Sequence, residues 1–150
     1  MKILIATDGS EFSTVAVEEC CRLFPNLANS EIKIISAFEE DYGLAAEPFA
    51  ISAEYIQQIA DAAEKQAGHF GASAADLMRE KTHDGDLDIE IEIVKGPPER
   101  EIVELAESWG ADLIVVGCHG RGFWGRLIGS VSDAVVHHAP CSVLVVRRLK

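Results

Sequence analysis

Apolar residues occur along the chain in short runs, separated by longer stretches in which apolar and polar positions repeat at helical spacing. The short runs predict five strands, at Lys2–Thr7, Glu31–Phe38, Asp86–Val94, Asp112–Gly117 and Ser142–Arg148. The helical stretches predict four helices, which extend from Ser10 to about Phe24, from Ile51 to about Lys81, from the Pro97-Pro98 turn to Gly110, and onward from about Ser130. Strands that alternate with helices are typical of an α/β fold with a parallel sheet.

Two of the predicted strands differ in pattern, and the difference indicates their places in the sheet. In Asp86–Val94, leucine and isoleucine alternate with acids, which is typical of a half-exposed strand at a sheet edge. Leu113–Val116 is an uninterrupted apolar run, which belongs in the centre of a parallel sheet with both faces covered. With right-handed crossovers, the simplest arrangement is a three-layer sandwich whose five-stranded parallel sheet has the order 3-2-1-4-5. We expect one domain over residues 1–150.

Individual residues indicate how two of the helices begin, pack and end. Ser10 is a good N-cap for the first helix, and Pro25 ends it. Helical spacing predicts that its inner face consists of Phe12, Ala16, Cys20 and Leu23. Gly68 and Gly71 are possible breaks or kinks in the second helix.

The predicted sheet order places a candidate ligand site between strands 1 and 4. Ligands of such sheets bind beyond the carboxyl ends of the strands, where the winding reverses. Strand 1 ends at Thr7-Asp8, and strand 4 runs into a glycine-rich loop over residues 117–130. Glycines let a backbone approach a phosphate closely, and Gly129-Ser130 opens a helix whose free N–H groups favour an anion. Ser130 can cap that helix and donate its hydroxyl to a phosphate oxygen.

Two common phosphate-binding motifs do not fit this loop. It has no Gly-Lys-Ser/Thr, so it is not a Walker A loop, and it follows the fourth strand rather than the first, unlike a dinucleotide fingerprint. A loop that only needs turn geometry is the alternative. Asp8 has an alternative too, as a turn or capping residue, and the neighbouring acids and lysine of a phospho-acceptor site are absent.

Charge and cysteine content narrow the possible classes of protein. A net charge of −12 argues against general nucleic-acid binding, although Arg121 and Arg126 lie in the glycine-rich loop. The apolar runs are too short to cross a membrane, and no signal-peptide pattern opens the chain, so we expect a cytoplasmic protein. The four cysteines have neither CxxC nor zinc spacing, which predicts reduced thiols, mostly buried. Cys118 lies in the predicted site loop and is the candidate for an exposed thiol.

The motifs together resemble the universal stress protein family, in its single-domain, ATP-binding type. The resemblance rests on the segments 2–10, 111–117, 117–130, 131–135 and 138–146, and it is weakest over residues 39–85. It implies an adenine nucleotide alpha hydrolase-like fold, a homodimer, and ATP held by G-x2-G-x9-G-[S/T]. ATP or AMP is the implied ligand, with Mg²⁺ as a candidate companion ion.

The resemblance also assigns roles to particular residues. Phosphates would be held by Gly117, Gly120, Gly129 and Ser130. His119, Arg121 and Val131 would flank the phosphates, although a solvated loop residue is the alternative for His119. Asp8 would bond to ribose or adenine and Ala37 would line the adenine pocket. Ala6, Thr7 and Val116 complete the predicted nucleotide-binding set.

One departure from the family pattern bears on ATP binding. Eight residues, 121–128, separate Gly120 from Gly129, where the pattern has nine. The first half of the motif, G-x2-G, is intact. The shorter loop leaves it open whether Ser130 reaches the phosphates.

Three functions remain open at the level of the sequence. The first is a nucleotide-binding regulatory protein of the stress response, and the second is a dimeric interaction module of the same fold that binds no nucleotide. The third is a slow ATPase, for which support is weak because the loop has no lysine and Asp8 is the only obvious base. We predict no metal site.

Strand 5 is apolar yet lies at the sheet edge, which predicts a homodimer through residues 142–148.

Overall fold

The computed structural model describes residues 1–27, 29–39, 52–82, 87–118 and 129–147. Strands and helices alternate through these residues as their patterns predict. The strands are β1 (Lys2–Ala6), β2 (Glu31–Phe38), β3 (Ile89–Lys95), β4 (Leu113–Cys118) and β5 (Ser142–Arg147). The helices are α1 (Glu11–Leu23), α2 (Ala53–Thr82), α3 (Pro98–Trp109) and α4 (Ser130–His138).

The five strands form one parallel sheet of order β3-β2-β1-β4-β5, which confirms the predicted order. The uninterrupted apolar run of β4 lies between β1 and β5, and Leu113–Val116 are buried. The alternating strand β3 lies at one edge, also as predicted. The winding therefore reverses between β1 and β4, and the carboxyl ends of these two strands lie side by side.

Two apolar cores cover the two faces of the sheet. Alternate strand residues such as Ile3, Ile5 and Ile34 pack against α1 and α2. Their neighbours Leu4 and Ile35 point to the opposite face and pack against α3 and α4. This is the three-layer arrangement, because the period of two in each strand supplies an apolar residue to both faces.

Two expectations about the helices are wrong. Leu23 is 45% exposed, and Val17 and Cys21 are buried in its place, because the buried stripe of α1 turns away before its last residue. The helix α2 runs unbroken through Gly68 and Gly71. A Cβ atom at Gly71 would lie 2.6 Å from Cγ2 of Ile91, so this glycine lets α2 pack closely against β3.

The acids of β3 have a partner that the sequence pattern does not reveal. Lys33 on β2 is 7% exposed, and its Nζ lies 2.8 Å from Glu90 and 3.1 Å from Glu92. Burial alone would lower the pKa of Lys33, but hydrogen bonds to the two carboxylates outweigh it and raise that pKa. Glu90 and Glu92 therefore neutralise a buried lysine as well as marking an edge strand.

Within the described ranges, no helix combines the length and apolar character that a membrane span requires.

Candidate functional site

A cavity of about 260 Å³ lies at the carboxyl ends of β1 and β4. This is the position at which the predicted sheet order places a ligand. Its described lining consists of Ala6, Thr7, Asp8, Ser10, Phe12, Ser13, Ile35, Ala37, Pro98, Ile102, Val116, Gly117, Gly129, Ser130, Val131 and Ser132. The cavity is thus built from residues far apart in sequence that the topology brings together.

Most residues of the predicted nucleotide-binding set line this one cavity. The structure brings together Ala6, Thr7, Asp8, Ala37, Val116, Gly117, Gly129, Ser130 and Val131. Three further members, His119, Gly120 and Arg121, lie outside the described residues. Contact of any of these residues with a ligand stays a prediction.

The remaining lining residues were not predicted. Ser10, Phe12 and Ser13 come from the start of α1, Ser132 from the first turn of α4, and Ile35 from β2. Pro98 and Ile102 come from the first turns of α3. Their spacing of four places them on one face of that helix, but only the packing of α3 over β2 shows that this face borders the cavity.

The lining has two chemical characters. The residues from β2 and α3 are apolar: Ile35, Ala37, Pro98 and Ile102. The starts of α1 and α4 contribute hydroxyls, from Ser10, Ser13, Ser130 and Ser132, and Thr7 adds another at the end of β1. A cavity of this kind suits a ligand with an apolar ring at one end and hydrogen-bond acceptors at the other.

The start of α4 differs from the expectation at its cap. Gly129 is the N-cap residue, with φ −62° and ψ 155°, and Ser130 is already the first helical residue. Ser130 therefore does not cap the helix, and no side chain of the described residues bonds to the first-turn N–H groups. Backbone donors left open at a helix start can bind an anion, and Gly129, Ser130 and Val131 line the cavity.

The start of α1 is capped. The side chain of Ser10 accepts a hydrogen bond from the N–H of Ser13 at 3.3 Å, as predicted for an N-cap. Asp8 is exposed at the cavity lip and accepts a hydrogen bond from the N–H of Ser10 at 3.0 Å through Oδ1. Asp8 thus stabilises the turn, as in the alternative interpretation. It also lines the cavity, where its carboxylate can contact a ligand.

Gly117 has a packing reason for lacking a side chain. A Cβ atom there would lie 2.5 Å from the carbonyl oxygen of Phe12 and 2.9 Å from the N atom of Ser13. The backbone of α1 therefore needs the space at this position. A valine at Gly117 would disturb the packing of α1 on β4. Loss of phosphate binding in such a variant would therefore not show that Gly117 contacts a phosphate.

The cysteines are free, and three of the four are buried, as expected. The expectation of an exposed Cys118 is wrong, because it is the last residue of β4 and is 1% exposed. Burial raises the pKa of Cys20 to about 12, with the adjacent Cys21 adding to the effect, so this thiol stays protonated at neutral pH.

Comparison with known proteins identifies relatives along the whole chain. The model of the universal stress protein family matches residues 1–147. Universal stress protein MJ0531 of Methanocaldococcus jannaschii is 32% identical over 151 residues, covering 99% of this chain and 83% of the relative. Universal stress protein Sll1388 of Synechocystis is 30% identical over 157 residues, covering 97% of each. A solved universal stress protein in complex with cAMP has a TM-score of 0.65 and 29% identity, covering 97% of this chain and 96% of its own.

Proposed function

The chain belongs to the universal stress protein family, and from that premise we propose that its cavity binds an adenine nucleotide, ATP or AMP, as a regulatory ligand of the stress response. The observation that carries the proposal is the cavity itself. It lies where the winding reverses. One wall contains the start of α4, which no side chain of the described residues caps, and another contains apolar residues of β2 and α3.

The start of α4 is suited to phosphates. Its first-turn N–H groups and the positive end of the helix dipole favour negative charge, and the Ser130 hydroxyl adds a donor. The hydroxyl of Ser132 donates its hydrogen to the Gly129 carbonyl at 3.0 Å, so it has no second hydrogen to donate to a phosphate. We therefore expect the backbone of residues 130–132 and the Ser130 side chain to contact the phosphates.

The walls from β2 and α3 are suited to a base. Ala37 leaves room at the end of β2, while Ile35 and Ile102 provide buried apolar surface. Asp8 at the lip is an acceptor for ribose hydroxyls or for the amino group of adenine. The related protein solved with cAMP supports an adenine nucleotide as the ligand class.

Direct titration tests this proposal. We expect calorimetry to give a higher affinity for ATP than for tripolyphosphate or adenosine, because only ATP occupies both ends of the cavity. Ala37→Leu should lower the affinity for ATP, because the larger side chain fills the base end of the cavity, and it should leave the affinity for tripolyphosphate unchanged. Ala63→Leu, a partly exposed position on α2, is the matched control. No heat and no thermal shift with millimolar ATP would overturn the proposal in favour of an interaction module without nucleotide.

Binding rather than rapid hydrolysis is the proposed activity. Among the described lining residues Asp8 is the only carboxylate, and none of them is lysine or arginine. Phosphoryl transfer relies on placed cations and an oriented nucleophile. Mg²⁺ is usually held through the phosphates and water, so we expect it to arrive with ATP.

We also propose a homodimer through the free edge of β5. Val143, Leu144 and Val145 are only partly buried at this edge, and a second cavity of about 490 Å³ lies beside it. Val15 and Leu23 of α1 line that cavity together with residues of β5. An apolar strand at an open edge favours pairing with a second copy.

Light scattering tests the dimer. We expect a particle of twice the chain mass at micromolar concentration. Leu23→Lys should shift it toward monomer, because Leu23 is exposed beside β5, whereas Val136→Lys on α4 should leave it a dimer. The two side chains are 45% and 44% exposed, so the pair is matched. A monomeric unmodified protein would contradict this proposal.

A further inference from the structure

Three hydrogen bonds, made by the hydroxyls of Thr7 and Ser13, connect the end of β1 to the first turn of α1. Thr7 Oγ1 donates to Ser13 Oγ over 3.2 Å, and Ser13 Oγ donates to the carbonyl oxygen of Ser10 over 3.0 Å. The N–H of Gly9 donates to Thr7 Oγ1 over 3.3 Å. The bonds therefore run without interruption from Gly9 through Thr7 and Ser13 to Ser10, and we call them the hydroxyl chain.

Burial makes the hydroxyl chain sensitive to the loss of any member. Thr7 is 8% exposed and Ser13 is 4% exposed. A buried hydroxyl that loses its partner keeps its desolvation cost without the compensating bond. Removing the hydroxyl of Ser13 would leave Thr7 without its acceptor, and Thr7 would have to reorient.

The hydroxyl chain encloses the turn that carries Asp8. Gly9 has φ +71°, in the left-handed region, and the N–H of Ser10 donates to Asp8 Oδ1. On one side of the turn, the Thr7 hydroxyl accepts a hydrogen bond from the Gly9 N–H. On the other side, the Ser13 hydroxyl accepts a hydrogen bond from Thr7 and donates one to the Ser10 carbonyl. The shape of the turn in turn determines where the Asp8 carboxylate lies on the cavity lip.

We propose that Ser13 is a positioning residue for Asp8, acting through Thr7. This inference rests on the proposed nucleotide site, and it adds a residue that the sequence analysis did not select. Ser13 fixes the turn, and Asp8 on that turn accepts hydrogen bonds from the nucleoside. Ser13 therefore affects binding of the nucleoside part of the ligand and not binding of its phosphates.

Paired variants test this role. Ser13→Ala should lower ATP affinity up to about tenfold, the effect of losing one neutral hydrogen bond, and leave tripolyphosphate affinity unchanged. Thr7→Val should reproduce that result, because it breaks the same chain. Thr14→Ala is the control: its hydroxyl donates to the same Ser10 carbonyl at 2.9 Å but is exposed and lies outside the chain. Thr14→Ala should bind ATP like the unmodified protein.

The double variant Thr7→Val/Ser13→Ala separates a chain from two independent contacts. Members of one chain are coupled, so the loss of ATP affinity in the double variant should be smaller than the sum of the two single losses. Additive losses, an equal loss in Thr14→Ala, or a loss of tripolyphosphate affinity in Ser13→Ala would each overturn the proposal.

Amide hydrogen exchange distinguishes this proposal from the proposed function. The Gly9 amide should exchange faster in Ser13→Ala than in Thr14→Ala in the absence of ligand, because its acceptor Thr7 is no longer fixed. If the unmodified protein binds no ATP, the nucleotide proposal fails, while the exchange rates still decide whether Ser13 holds the turn. Unchanged Gly9 exchange in Ser13→Ala would show that it does not.

Discussion

Two helices begin at the same cavity, and their first turns are built alike except at the cap. Each has a buried serine at its third position, Ser13 in α1 and Ser132 in α4, and each serine donates to the carbonyl of its N-cap residue at 3.0 Å. The caps differ: Ser10 bonds to the first turn of α1, whereas Gly129 has no side chain with which to cap α4.

Under the proposed function, the difference separates a helix start that is closed by its own cap from one that is open to a ligand. In α1 the cap and the hydroxyl chain pair the Ser13 N–H and the hydroxyls of Thr7 and Ser13 with groups of the protein. In α4 the first-turn N–H groups face a cavity without a protein cap among the described residues. A ligand phosphate can supply the missing acceptor there, and its negative charge gains from the helix dipole.

Adding a charged cap to α4, which removes the difference between the two helix starts, should have the largest effect on ATP affinity. The Gly129 backbone is extended, so other residues can adopt it. Gly129→Asp should lower ATP affinity about 100-fold, because a carboxylate would occupy the phosphate's place and repel it. The free energy of unfolding should rise by about 0.5 kcal/mol through the new cap. Calorimetry and urea denaturation measure the two effects.

A neutral cap serves as the control. Gly129→Asn also caps the helix but has no charge, so its loss of ATP affinity should be smaller than that of Gly129→Asp. Equal ATP affinity in the unmodified protein and Gly129→Asp would show that phosphates do not bind at this helix start.

Removing the carboxylate on the α1 side should have a smaller and more selective effect. Asp8→Ala should lower ATP affinity about tenfold by removing an acceptor for the nucleoside. Sulfate and inorganic phosphate should bind as before, because we propose that they bind at the start of α4. An equal loss for these anions would mean that Asp8 organises the phosphate end instead.

Removing the cap of α1 should affect stability more than binding. Ser10→Ala leaves the Ser13 N–H without its acceptor, so the free energy of unfolding should fall by about 1 kcal/mol. Ser108→Ala, an exposed serine of α3 whose hydroxyl bonds to the Leu105 carbonyl, should change it by less than about 0.5 kcal/mol. A loss confined to ATP affinity would mean that Ser10 contacts the ligand.

Local patterns were sufficient for the sheet and for the position of the cavity. The alternating acids of β3 and the continuous apolar run of β4 predicted an edge and a centre, because burial on one or both faces leaves a direct pattern in the strand. The same patterns failed for Leu23, whose exposure depends on where the buried stripe of α1 turns away from the sheet. They also gave no indication that Lys33 is buried against Glu90 and Glu92.

What the sequence determined by itself is therefore the set of elements, their order in the sheet, and the ends of β1 and β4 as the two sides of a cavity. Those properties follow from periodicity and chain connectivity, which each segment carries locally. Only the tertiary structure decided that Ser13 closes a hydroxyl chain with Thr7, that Ile102 borders the cavity, and that Gly117 makes room for the α1 backbone. The last two are contacts between segments distant in sequence, and the first joins the end of a strand to the start of the next helix. The geometry of all three depends on how helices pack on the sheet to within a fraction of an ångström.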